Sequence, residues 1–147
     1  MLHTTEVREP YFPAPVVDWF FYMLGNLAAV VGRNEPVLGT NGVISIRDTA
    51  LVPLMYAETG VVRTGGNKRL TPFLSHEQRV ALERLPPVSP TLRSVIEGYA
   101  SVAEEFVRRG RALAQAVDAP WPTELEEATS MHLLRSIGRA IPSGRGS

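Results

Sequence analysis

Histidines, carboxylates and basic side chains carry whatever chemistry this chain performs, because it contains no cysteine. That absence removes disulfides, zinc–thiolate sites, iron–sulfur clusters and thiol nucleophiles together. The three histidines are His3, His76 and His132. No two lie at helical ligand spacing and no His-Glu-x-x-His run occurs, so no metal site is predicted. His132 lies four residues after Ala128 and seven after Leu125, which places it on the apolar side of a last helix. Gly60 to Lys68 reads Gly-Val-Val-Arg-Thr-Gly-Gly-Asn-Lys. This falls short of a phosphate-binding P-loop, since the lysine does not directly follow the glycine pair and no Ser or Thr follows it. Lys68 and Arg69, with Arg63 nearby, still put positive charge in a loop, either to touch a phosphate or as a solvated turn. Glu104-Glu105 and Glu126-Glu127 are sequence neighbours that point to different helix faces, which reads as solvated surface. Asp18 opens an otherwise apolar helix. It is read either as a helix N-terminal charge or as a cleft carboxylate for a cationic ligand.

The elements that position these residues follow from periodicity and punctuation. From Val16 to Val31 nearly every side chain is apolar, and Gly32 offers a stop. Such a helix belongs at the centre of a bundle or at an interface. Its bulk makes Trp19, Phe20, Tyr22 and Met23 candidate contact residues. Interrupted by Asp18, Gly25 and Asn26, the run is shorter than the ~20 residues that span a bilayer. Residues 37–46 hold an Asn41-Gly42 turn between short apolar pairs, which fits either a small hairpin or a plain loop. A second helix with Ser45 or Asp48 at its cap is expected through Ala50, Leu54 and Met55. Pro53 starts or kinks it, and Gly60 stops it. Ser75-His76-Glu77-Gln78 matches a capping box. Ser89-Pro90 opens the longest helix. Its apolar stripe runs through Leu92, Val95, Tyr99, Val102, Phe106 and Leu113, with Arg108, Arg109 and Arg111 on the other side. A last helix starts at Pro122 or Thr123 and ends at Gly138.

The fold class predicted is therefore all-α: about five helices in an antiparallel bundle with loops rich in Gly and Pro. One helical domain is expected over 13–141, preceded by an extended arm, 1–12, and followed by a disordered tail, 142–147. The chain has 147 residues, 44% of them apolar and 20% charged, which suits a globular domain. Fifteen basic side chains balance fifteen acidic ones, so a nucleic-acid clamp is not expected. The first ten residues lack a basic start followed by an apolar run. A cytoplasmic protein without a secretory signal is expected.

Two resemblances bear on function. Arg69 and His76 are spaced as in the Arg-(four to six)-His signature of helical HEPN ribonucleases, although Pro72 falls between them. That resemblance implies acid–base chemistry on an RNA 2′-hydroxyl. The second covers about half the chain. Gly66-Asn67-Lys68-Arg69-Leu70 leads through Phe73-Leu74-Ser75, Gln78-Arg79 and Leu85-Pro86-Pro87 to Arg109-Gly110-Arg111, Trp121-Pro122 and His132-Leu133. This order resembles the C-terminal helical half of bacterial nucleotidyltransferases of the aminoglycoside and lincosamide type. In that family a separate α/β domain carries a Gly-Ser motif and an Asp-x-Asp pair, which bind two magnesium ions and a nucleoside triphosphate. Here the one Gly-Ser pair is Gly146-Ser147, and no Asp-x-Asp occurs. The resemblance therefore implies an accessory domain that binds a small molecule or nucleotide and does not catalyse transfer alone. Magnesium and nucleotide enter only if a catalytic domain is supplied elsewhere. By this analogy Asp18, Glu58, Lys68, Arg69 and His132 are candidates for a ligand cleft. The helical half often forms a dimer contact, so a homodimer or a partner domain is expected. A purely structural dimerisation module is the alternative.

Overall fold

In the computed structural model, which describes residues 5–63 and 71–143, the apolar stripe of the longest helix becomes the axis of the fold. This helix, α6 (Leu92–Ala116), buries Val95, Tyr99, Val102, Phe106 and Leu113. Thr91, not Ser89, is its cap, and its side-chain oxygen accepts from the Ser94 N–H at 3.2 Å. Ser94 Oγ in turn accepts from the Ser89 N–H at 2.8 Å, so Ser89-Pro90 leads into the cap.

Around this axis stand α1 (Ala14–Gly25), α2 (Leu27–Gly32), α3 (Pro36–Ile46), α4 (Val52–Glu58), α5 (His76–Glu83) and α7 (Thr123–Ile137). Helices α1 and α2 form one rod broken at Asn26. Helices α3 and α4 form another, joined by a π-helical stretch, Arg47–Leu51. The architecture is thus all-α with about five helical rods, as the periodicity predicts. Among the described residues the strand content is one antiparallel pair, β1 (Thr5–Val7) and β2 (Val61–Arg63), in register Glu6↔Val62. It clips the N-terminal arm to the end of α4. Gly60 makes the turn into β2 at φ 73°, and a Cβ there would lie 1.7 Å from the Arg8 carbonyl oxygen. No residue with a side chain fits that approach.

Residues 37–46 are a helix, which corrects both the hairpin and the loop expected there. The glycines that suggest a turn serve packing instead. A Cβ on Gly39 would meet Val95 at 2.6 Å, and one on Gly42 would meet the Tyr99 hydroxyl at 1.9 Å. Across the same seam Val43 packs over Gly98 of α6. Side chains of each helix sit in notches of the other, and burial against α6 overrides the local turn preference. The second helix consequently needs no cap at Ser45 or Asp48. Pro53 is accommodated just after the π-helical stretch, at the start of α4.

The apolar span at the N-terminus is not the centre of the bundle. Helix α1 buries Val17, Phe20, Phe21 and Leu24 on one side only. Phe20 stacks on Phe106 with centroids 3.9 Å apart. By length and composition Ala14–Gly32 is apolar enough to cross a membrane, with mean hydropathy 1.5. In this fold it is split into two helices that pack on α7, α3 and α6. At the other end, the first residue of the expected tail, Pro142, is packed against the fold. Ile141 and Pro142 are buried, and the Pro142 carbonyl accepts from Ser130 Oγ at 2.7 Å. The last four residues of that tail, 144–147, lie outside the described residues.

The α3–α6 seam gives a direct test. Gly42→Ala should lower stability by about 1–3 kcal/mol through overpacking against Tyr99. Tyr99→Phe in the same chain should recover part of that loss. Urea unfolding of the two single variants and the double variant measures the coupling.

Candidate functional site

The most polar constellation in the core is built on an arginine expected on the outer side of α6, away from its apolar stripe. Arg109 follows Phe106 by three residues and precedes Leu113 by four, so it falls on the buried stripe and is 4% exposed. Carboxylates from three helices converge on it. Nη1 donates to Glu58 Oε1 at 2.8 Å and Oε2 at 3.2 Å, Nε donates to Glu105 at 2.6 Å, and Nη2 donates to Glu77. Glu105 also accepts from Arg108 at 2.6 Å. Gln78 completes the cluster: its amide donates to the Met55 carbonyl at 2.7 Å and to Glu58 at 3.0 Å.

Local sequence explains the placement. Ser75 caps α5, its hydroxyl accepting from the Gln78 N–H while the Gln78 side chain accepts from the Ser75 N–H. The capping box thereby aims Gln78 inward and fixes Glu77 beside Arg109. Burial alone pushes the Glu105 carboxyl up. Hydrogen bonds from Arg108 and Arg109, with their charges, outweigh it and hold the carboxyl below the usual carboxylate range. Burial alone would lower the Arg109 pKa, but its carboxylates raise it further from neutrality. The cluster is a locked ion network and not an acid–base pair.

A second buried carboxylate repeats the pattern. Glu126 is 2% exposed. It accepts from Arg111 through two nitrogens, Nε at 3.1 Å, and from Trp121 Nε1 at 2.7 Å. So α7 turns Glu126, Thr129, Ser130 and Leu133 inward and leaves Leu125, Met131 and Leu134 outside. This reverses the face expected for it, and His132 is exposed, not on the buried side. Glu126 is likewise not the solvated surface expected of the Glu126-Glu127 pair.

The other predicted residues scatter. Asp18 is exposed just past the first turn of α1. Among the described residues, Glu58 is the one cleft candidate that joins the Arg109 cluster. Lys68 and Arg69 lie outside the described residues, so the Arg69–His76 pairing has only its exposed His76, in the first turn of α5, on view. The four contact candidates separate. Trp19 and Tyr22 are 42% and 64% exposed and stack on each other at 5.7 Å. Met23 is half-buried, and Phe20 belongs to the core, where its stacking on Phe106 leaves no surface to offer. Arg109, Glu77, Glu105 and Gln78 escaped the sequence reading. Their signal was an arginine in phase with the apolar stripe, and a capping box whose Gln has a second role. Among the described residues, no group of three or more His, Asp or Glu is arranged to hold a metal. The carboxylates that do converge enclose a guanidinium.

No family model, curated protein or solved structure matches the chain.

Arg109→Gln should destabilise the fold by about 3 kcal/mol, because it leaves the partly buried Glu58 without its cation and Glu105 with Arg108 alone. The cost stays at the low end because Glu77 is 69% exposed and solvated. Glu105 also sets a pH dependence. Its folded pKa lies below its ordinary 4.5, so its contribution is complete above that pH and is lost as pH falls through the folded pKa. In Arg109→Gln the acid-induced loss should begin at higher pH. Thermal melts across an acid series, with carboxyl NMR titration of Glu105, check both points.

Proposed function

We propose that this chain is a helical interaction domain of the nucleotidyltransferase C-terminal type, which binds a partner and holds no reaction centre of its own. One observation carries the reading. The span Ala14–Gly32 is apolar over its whole length, yet only about 28% of its most apolar stretch is buried. Trp19 and Tyr22 stand stacked on its outer side. Trp19 is held in place by a 2.9 Å hydrogen bond from Nε1 to Thr49 Oγ1. Rigid, exposed aromatics on an apolar helix are the side chains that dominate protein contacts.

The order of residues from Gly66 to His132 supports a nucleotidyltransferase-like partner. It would be an α/β domain that brings the Gly-Ser and Asp-x-Asp motifs, and with them the magnesium and the nucleotide. The locked state of the Arg109 network supports a scaffold role. Each of its carboxylates already serves a cation, and a general base needs a free one. A second copy of the chain is the other occupant that the same aromatic face fits.

Trp19→Ser with Tyr22→Ser should weaken association at least about tenfold, since each is an exposed aromatic anchor. The same change should leave the monomer's stability within about 0.5 kcal/mol. Sedimentation of the full chain, alone and with a nucleotidyltransferase catalytic domain, reads the first effect. A thermal-shift series with nucleotides plus magnesium, aminoglycosides and lincosamides reads ligand binding. Melting that rises with protein concentration, without any ligand response, would leave the dimerisation module. RNA cleavage abolished by His76→Ala would replace the reading with a ribonuclease.

A further inference from the structure

The segment between α5 and α6 bridges the helix pair and leaves a space beneath it. Leu85-Pro86-Pro87-Val88 forms one wall. Val43 and Ile44 of α3, with Val102 of α6, form much of the rest. The cavity holds about 250 Å³. That is slightly below the roughly 300 Å³ at which pockets for drug-sized ligands begin. A nucleoside triphosphate does not fit it, but a short aliphatic chain does. Two consecutive prolines fix φ along the wall, so the groove is formed before a ligand arrives.

Arg47 is the one charged residue among those that line this space. Arg47 sits in the π-helical stretch, half-exposed, and its Nε donates to Asp48 Oδ1 at 2.7 Å. That bond orients the guanidinium. Its two terminal nitrogens have no acceptor among the described residues. A guanidinium held through Nε still offers its terminal N–H groups as a planar pair, the arrangement that matches a carboxylate.

From this combination we infer that the groove binds a small amphipathic monocarboxylate. Its aliphatic chain lies against Val43, Leu82, Val88 and Val102, and its carboxylate meets Arg47. A dianionic phosphate is the poorer fit, because one arginine among apolar walls does not offset its desolvation. The site is independent of the aromatic face of α1, and neither reading requires the other.

Isothermal titration of the full chain with octanoate, against octan-1-ol as its neutral counterpart, tests the inference. Octanoate should bind saturably and octan-1-ol at least about tenfold more weakly, the loss of a charge-assisted hydrogen-bonded pair. Arg47→Gln should reduce octanoate affinity by a similar factor and leave octan-1-ol unchanged. Arg47 is half-exposed, and an unaltered melting temperature would show that the variant folds. Ile44→Asp, at an exposed lining position, should also reject octanoate. Intermolecular NMR contacts from the ligand chain to Val43 and Val88 methyls would place it. Equal affinity for acid and alcohol, an unchanged Arg47→Gln, or no saturable binding at the solubility limit of octanoate would each overturn the inference.

Discussion

The charge of Arg109 is the constraint from which the polar side of this fold follows. An arginine does not shed its proton, so a position on the buried stripe of α6 forces acceptors to come to it. Three helices supply them: Glu58 closes α4, Glu77 opens α5, and Glu105 stands one turn back on α6. The network thereby welds the short helix α5, whose apolar face is slight, to the rest of the molecule. It also fixes the end of α4, where the chain turns at Gly60 into the strand that clasps the N-terminal arm. A hydrophobic residue in the same place would pack, but it would not specify which helix ends meet there. Specificity of arrangement is the reading we favour for so costly a charge.

Much of the architecture was legible in the sequence, and the failures are instructive. The stripe of α6, the capping box at Ser75 and the stop at Gly138 are local signals, and each appears as predicted. Asn41-Gly42 misled because a turn signature and a helix-packing notch use the same small residues. What separates them is the partner, Tyr99, more than fifty residues away in the chain. Helix α7 misled for the opposite reason. Apolar residues lie on two of its sides, and the buried side is chosen by Glu126, whose cation Arg111 stands on α6 and whose second donor, the Trp121 indole N–H, packs over Gly110 of α6. Of the candidate site residues among those described, Glu58 alone was brought to a constellation, and its role there was visible only once Arg109 was known to be buried.

The distribution of polar groups and apolar surface divides the molecule's tasks. Strong charges in the interior are spent on one another, which stiffens the bundle. Apolar side chains on α1, α3 and α7 remain at the surface. Two distinct outer regions follow from this, an aromatic one on α1 and an aliphatic groove with a single guanidinium beneath the Pro86-Pro87 segment.

The chain's two tryptophans fall on opposite sides of that division. Trp121 is wedged between Phe12 and Phe21, covers Gly110 and donates to the buried Glu126. Its indole senses whether the arm, α1, α6 and α7 are assembled. Trp19 stands in solvent beside Tyr22 and senses what lies against α1. Emission from the two therefore carries separate information, one channel reporting integrity of the interior and the other occupancy of the surface. The protein can be interrogated on both without a label.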